Sequence, residues 1–406
     1  MILTIYDIVL LVALALLSAR VFGYIFDKIK QPIVIGEIIT GIILGFIGSF
    51  VFSGNNFSFI NLNFTISDLN YTSYEFEILA MIGILFLLFI SGLETSLSKL
   101  KKTGKIASLS AIGGVTLPFI LGTTVGLFFG FPTQDSIVIG LILTATSVGV
   151  TVRTLLDLRV LDSDVGATIL GGAVIDDVIG IMLLAFFLGT DSFLFMGFKI
   201  IIFFLIFLYL GLKVIDKILH LGEKIHLPKA FLSFSLAIFL LISFFADKFG
   251  IAGIVGAFVA GILIGHTIKS RRIMDDIKTI GYGFFIPLFF VWIGARLSEG
   301  IIRDVTSFFD IILIALLIIF IGIIGKIFGC GIGAKVAGMK TKQAFQVGVG
   351  MIPRMEVALI IVSTAISHHF LSSNKVEHQL LAISVLLTII TTLVTPFLIK
   401  YAFKKE

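Results

Sequence analysis

Gly171-Gly172-Ala173-Val174-Ile175-Asp176-Asp177-Val178-Ile179-Gly180-Ile181 sets two adjacent carboxylates inside a long apolar run. An aspartate at the centre of a membrane helix costs roughly 2.5–3.5 kcal/mol on insertion scales, so two together are not filler. Such acids face a cavity or a counter-charge and mark an ion or proton path. Apolar residues continue well past the pair, which keeps both acids out of headgroup water. The rest of the chain is read by asking what serves them.

The 406 residues are 58% hydrophobic and 14% charged, where a soluble chain would be near one-quarter charged. With a mean hydropathy of +1.16, the composition predicts an all-α polytopic membrane protein. Its 42 Phe and 41 Gly suit lipid-facing rings and close helix contacts. The net charge of +5 is then a topology signal, and no nucleic-acid partner is expected. A single cysteine, Cys330, excludes an intrachain disulfide and a thiolate metal cluster. The first apolar run, Ile2 to Phe26, lacks a basic leader and is read as a mature helix.

Hydropathy predicts about 13 transmembrane helices, at 3–25, 33–51, 76–95, 106–130, 134–155, 165–189, 193–215, 229–247, 250–268, 280–297, 307–334, 342–368 and 378–401. Most of the 30 Lys and Arg fall after odd-numbered spans. That bias places the N-terminus outside and the C-terminus in the cytoplasm of a multi-pass protein of the plasma membrane. The outer loop then carries three glycosylation sequons, at Asn56, Asn63 and Asn70. No appended soluble domain is expected, and no Walker A or GxGxxG unit supports nucleotide drive or a cofactor.

Val34-Ile35-Gly36 through Gly41 and Gly45 matches Ile254-Val255-Gly256 through Gly261 and Gly265, with three glycines in register at an offset of 220 residues. The following spans support the match, with Ser91-Gly92-Leu93-Glu94 lying opposite Ile293-Gly294-Ala295-Arg296 at an offset of 202. The units begin seven helices apart, an odd number, so the two copies cross the membrane in opposite directions. Inverted repeats of this kind, approximately 33–189 and 250–401, are the plan of secondary transporters, with the site at the repeat interface. The plan also predicts interrupted helices at matching positions. Thr144-Ala145-Thr146-Ser147-Val148-Gly149-Val150-Thr151 in span five and Gly348-Val349-Gly350-Met351-Ile352-Pro353-Arg354-Met355-Glu356 in span twelve can both break a helix.

Asp176 and Asp177 point about 100° apart around a helix, which argues against a proton-sharing dyad. An intramembrane aspartyl protease is disfavoured further because the sequence holds no GxGD motif. A base is available in Lys326, within Ile324-Gly325-Lys326-Ile327-Phe328-Gly329. At 1.5 Å per residue it lies ~14 Å from Lys335, while Asp176 lies ~18 Å from Asp164 on the same side, so the depths agree. A buried lysine without a partner tends to lose its proton, so pairing with a carboxylate is the economical reading. Arg354 and Glu356 are two residues apart and do not face each other on a helix; they are read as supporting charges that neutralise or position other core groups. Protons and a monovalent cation compete for the same carboxylate oxygens. A site opened alternately to each side then performs exchange, and no catalytic residue is required. A cation-driven solute symporter also uses broken helices, but a lysine near paired aspartates suits proton exchange better.

These residues resemble the monovalent cation/proton antiporters, particularly the NapA-type sodium/proton exchangers. The likeness rests on Gln31-Pro32 through Gly45, Thr144 through Gly149, Ala173 through Asp177, Gly325-Lys326, and Gly350 through Val357. The resemblance implies a homodimer with a dimerisation domain and a six-helix core that moves like an elevator. It divides the chain into dimerisation helices 1–95, a first core half 106–189, a linker helix and further dimerisation helices 193–297, and a second core half 307–401. It implies Asp177 as the main cation and proton ligand and Asp176 as the partner of Lys326, both serving Na+. Thr146, Ser147 and neighbouring carbonyls would border the site. The paired acids and core lysine are similar to electrogenic exchangers that trade two protons per sodium ion. Kef-type potassium proteins are similar along much of the chain but typically carry a different acid motif and an appended nucleotide-binding domain. Na+ or Li+ is therefore the expected cargo, with K+ on the same scaffold as the alternative.

Overall fold

The computed structural model describes residues 5–29, 31–51, 70–95, 97–188, 193–224, 227–267, 271–303, 305–354 and 356–404. Among these the chain is helical and contains no strand, as a bilayer requires of a chain that must satisfy its backbone internally. The helices are α1 (Ile5–Lys28), α2 (Ile33–Val51), α3 (Tyr74–Glu94), α4 (Leu97–Phe128), α5 (Thr133–Thr144), α6 (Val148–Asp157), α7 (Asp164–Leu188), α8 (Phe193–Phe203), α9 (Gly211–Lys224), α10 (Ala230–Lys248), α11 (Gly253–Gly265), α12 (Arg271–Ile280), α13 (Ile286–Arg303), α14 (Val305–Val336), α15 (Thr341–Gly350), α16 (Glu356–Ser367) and α17 (Asn374–Ala402). Wider π-helical turns join α8 to α9 and α12 to α13.

Among the described residues, ten helical stretches are long and apolar enough to cross a bilayer. Two shorter apolar helices, Ile33–Gly48 and Gly253–Gly265, lie where hydropathy placed the second and ninth spans. The remaining expected span, 342–368, is divided into α15 and α16. Asn56 and Asn63, two of the three sequons, lie outside the described residues. The third, Asn70, accepts hydrogen bonds from the Thr72 amide (3.0 Å) and hydroxyl (2.7 Å), forming a turn ahead of α3.

The chain forms two compact units, Met1–Phe86 with Lys278–Thr306, and Leu87–Ile277 with Ser307–Glu406. In the first, α2 meets α13 at Gly41 and Gly294. A Cβ on Gly41 would lie 2.0 Å from the Val291 carbonyl oxygen, and one on Gly294 would lie 2.1 Å from that of Ile38. Only hydrogen fits there, so the two backbones touch. In the same unit the Arg296 guanidinium donates to Glu77 at 3.0 Å.

In the second unit, the end of α3 meets α11 in the same manner. A Cβ on Gly92 would lie 2.3 Å from the Phe258 carbonyl oxygen, and one on Gly261 2.3 Å from that of Phe89. Gly113 of α4 and Gly329 of α14 make a third such contact. Around α5 the core is closed by Ile139 and Ile142 against Ile319, Ala358, Val362 and Leu387. From Asp135 to Leu155 every residue of the α5–α6 stretch except Ile137 is buried, so it serves the interior and not the lipid. At its start Asp135, fully buried, accepts from the Ser372 amide (3.0 Å) and from the Ser372 hydroxyl, tying α5 to the segment before α17.

Candidate functional site

Both predicted interruptions are present. After Thr144 the chain turns extended through Ala145 (φ −56°, ψ 144°) and Ser147 (φ −97°, ψ 123°) before α6 begins. A continuous helix would bond the Ser147 amide to the Leu143 carbonyl, four residues back. Here the Ser147 N–H donates to the Pro353 carbonyl at 2.7 Å, and the Leu143 carbonyl accepts from Arg354 Nη2 at 2.9 Å. Two consecutive residues of the other broken helix thus complete the break.

The second break has the same construction. Between α15 and α16, Pro353 has no N–H to offer and the helix stops. The bond that a continuous helix would make from the Arg354 amide to the Gly350 carbonyl is replaced by two side-chain hydroxyls. Thr151 Oγ1, on α6, donates to the Gly350 carbonyl at 2.7 Å, and Thr391 Oγ1, on α17, accepts from the Arg354 amide at 3.1 Å. Buried backbone groups left unmade would each cost about 1–3 kcal/mol, so these four bonds are what permits irregular chain at depth.

The acids of α7 sit beside the first break. Lys326 Nζ, on α14, donates to Asp176 Oδ2 at 2.5 Å, and Thr146 Oγ1 donates to the same oxygen at 2.7 Å. Neither charged side chain has any exposed surface. The other carboxylate oxygen of Asp176 is buried with no hydrogen-bond partner among the described residues, and so keeps its lone pairs for another ligand. One residue on, Asp177 points elsewhere, as the helical angle requires. It lines a small cavity with Val148, Leu170, Val174, Leu88, Ile254, Val255 and Phe258. Apart from the carboxylate, that wall is aliphatic and aromatic. Among the described residues no group of three or more His, Cys, Asp or Glu is placed to hold a metal ion.

Arg354 is fully buried and makes its contacts to carbonyl oxygens: Leu143, Gly322 at 3.0 Å, and Ile352. Glu356 opens α16, but its side chain lies outside the described residues. The structure therefore brings Thr146, Asp176 and Lys326 together, sets Asp177 in the adjoining cavity, and places Ser147 and Arg354 at the meeting of the breaks. Sequence reading misses Thr151 and Thr391. The signal available for Thr391 is a hydroxyl face on α17, where Ser384, Thr388, Thr391 and Thr395 recur at helical spacing and are all buried.

Two mutually completed broken helices around a buried lysine–aspartate pair describe a secondary transporter. The family model described as "Sodium/hydrogen exchanger, transmembrane" matches residues 13–405, and the chain belongs to that family. It is 33% identical over 398 residues to the "Na(+)/H(+)-K(+) antiporter GerN" of Bacillus cereus, covering 97% of this chain and 95% of that one. It is 32% identical over 403 residues to a "Na(+)/H(+) antiporter" of Enterococcus hirae, covering 97% and 98%. The solved structure of the sodium proton antiporter MjNhaP1 from Methanocaldococcus jannaschii superposes with a TM-score of 0.66 at 19% identity, covering 98% of both chains, and so shares the fold.

Proposed function

We propose that this chain is a secondary sodium/proton antiporter, exchanging Na+ or Li+ for H+ by alternating access. The observation that carries the reading is the convergence of Lys326 and Thr146 on one oxygen of Asp176, with Asp177 beside them in a cavity and two broken helices meeting at the same place. A cation entering at Asp177 competes with protons for the carboxylates and with Lys326 for Asp176. Binding on one side releases protons there, and reprotonation on the other side releases the cation. Two carboxylates and a lysine in one site support a two-proton, electrogenic cycle. No bond is made or broken apart from proton transfers, so the protein is read as a transporter and not an enzyme. It needs no cofactor.

In this reading residues 106–189 and 307–401 form the moving core, related as inverted repeats 33–189 and 250–401, and 1–95 with 193–297 supply the linker and a homodimer interface. The Gly41–Gly294 and Gly92–Gly261 contacts support the repeat, because each joins the same two elements of the aligned sequence with the copies exchanged. The N-terminus is assigned to the outside and the C-terminus to the cytoplasm of the plasma membrane, where the exchanger would serve pH homeostasis. Potassium/proton exchange is the second reading, favoured by the B. cereus relative whose name includes K+.

Vesicles holding the purified protein and an imposed proton gradient test both. Na+ or Li+ should dissipate the gradient and Asp177→Asn should abolish the effect. Dissipation by K+ alone would replace the sodium reading, and full activity of Asp177→Asn would remove that residue from the site.

A further inference from the structure

Arg354 is used by nothing in the cycle above, although it is among the largest fully buried side chains in the protein. Its surroundings suggest a more specific task than charge neutralisation. Among the described residues its guanidinium meets carbonyl oxygens and no carboxylate. Two of those carbonyls belong to the elements that hold the two donors on Asp176. Leu143 lies three residues before Thr146, at the end of α5. Gly322 lies four residues before Lys326 in the unbroken helix α14, so its carbonyl also receives the Lys326 amide. A guanidinium is a planar fork whose N–H directions are fixed relative to one another. Reaching Leu143 and Gly322 through the same nitrogen, it sets the spacing between the end of α5 and the turn of α14. At that spacing Thr146 and Lys326 reach the same oxygen of Asp176. The fork is itself anchored, since the Arg354 amide is held by Thr391 of α17.

We propose that Arg354 is a positioning residue that holds Lys326 against Asp176 and thereby sets how readily a cation displaces the lysine. The proposal rests on the exchange reading above. Its sign is definite: loosening Arg354 weakens the lysine as a competitor for Asp176, so the cation binds at lower concentration. A merely structural role would weaken cation binding or leave it alone.

The readout is thermal stabilisation of the purified full-length protein by NaCl against choline chloride, which reports binding whether or not transport survives. Arg354→Lys keeps the charge but offers a point instead of a fork. The Na+ concentration giving half-maximal stabilisation should fall about tenfold, the equivalent of one charge-assisted hydrogen bond lost from the competing pair. In a Lys326→Gln background the same substitution should shift it by less than about twofold, because the group it acts through is gone. An unchanged or raised half-point in Arg354→Lys overturns the proposal, as does an equal shift in the Lys326→Gln background. Thr391→Val, which releases the Arg354 amide, should move the half-point in the same direction by a smaller margin. It decides the case if Arg354→Lys yields no folded protein. Exchange by wild-type vesicles, measured in parallel, separates the two ideas: without Na+-driven exchange the function is at fault, and with exchange but no shift only the role of Arg354 is.

Discussion

Substituting Lys326 with Met removes the ammonium from Asp176 while keeping nearly the same volume. Both side chains have zero exposure, so no solvent screening softens the loss. Stranding one member of a buried pair costs about 3–5 kcal/mol. Thr146 still donates to the same carboxylate oxygen, which places the expected destabilisation near the lower bound, about 3 kcal/mol. Combining Lys326→Met with Asp176→Asn leaves no buried charge in the pair and should bring stability back to within about 1 kcal/mol of wild type. The protein carries its own reporter for this cycle. Cys330 is the only cysteine, is fully buried, and lies one turn from Lys326 on α14. A maleimide dye that fluoresces on thiol attachment will therefore report the opening of the helix that holds the pair, during heating in detergent at fixed neutral pH. A Lys326→Met protein as stable as wild type would refute the reasoning. So would a double variant whose loss equals or exceeds the sum of the two singles, because the charges would then not be stabilising each other.

Three further substitutions test packing and the helix breaks. Gly92→Val forces α3 from α11, where the Cβ would lie 2.3 Å from the Phe258 carbonyl oxygen, and should cost about 1–3 kcal/mol or prevent folding. Gly104→Ala, which meets nothing within 4 Å on α4, should be neutral or stabilising by up to about 1 kcal/mol in the same melting assay. Thr151→Val leaves the Gly350 carbonyl without its donor and should cost about 1–3 kcal/mol, read as a lower melting midpoint together with faster amide exchange at residues 350–354.

How much is legible in the sequence depends on whether a property is local. Asp176 and Lys326 can be matched from sequence because each is measured along its own helix from a charged end, and helices in a bilayer share a common scale of depth. The two breaks are readable because proline removes a donor and because Thr-Ala-Thr-Ser-Val-Gly favours no single helix register. The partners that mend the breaks are not readable. Which carbonyl Arg354 meets depends on how α5, α14 and the 351–354 stretch are brought together, and nothing within any one of them encodes that. Thr391 escapes for another reason: three other buried threonines on α17, Thr388, Thr392 and Thr395, look alike in sequence, and only the approach of Arg354 distinguishes one of them. Depth along a helix is visible in the sequence; the direction around it is blurred on a helix that is apolar on nearly every side.

The mutual completion of the two breaks has a consequence for how the protein is made. Thr151 and Gly350 are 199 residues apart, and the Ser147–Pro353 bond spans a similar stretch. At a synthesis rate of about 5–20 residues per second, the first broken helix waits roughly 10–40 s in the membrane before the chain that finishes it leaves the ribosome. During that interval Leu143 and Ser147 must be sheltered by water, by the insertion machinery or by a temporary helical turn that later comes apart. Assembly of the site is therefore a late, post-insertion event. A truncation anywhere before residue 354 leaves the first broken helix without the groups that finish it, for quality control to recognise.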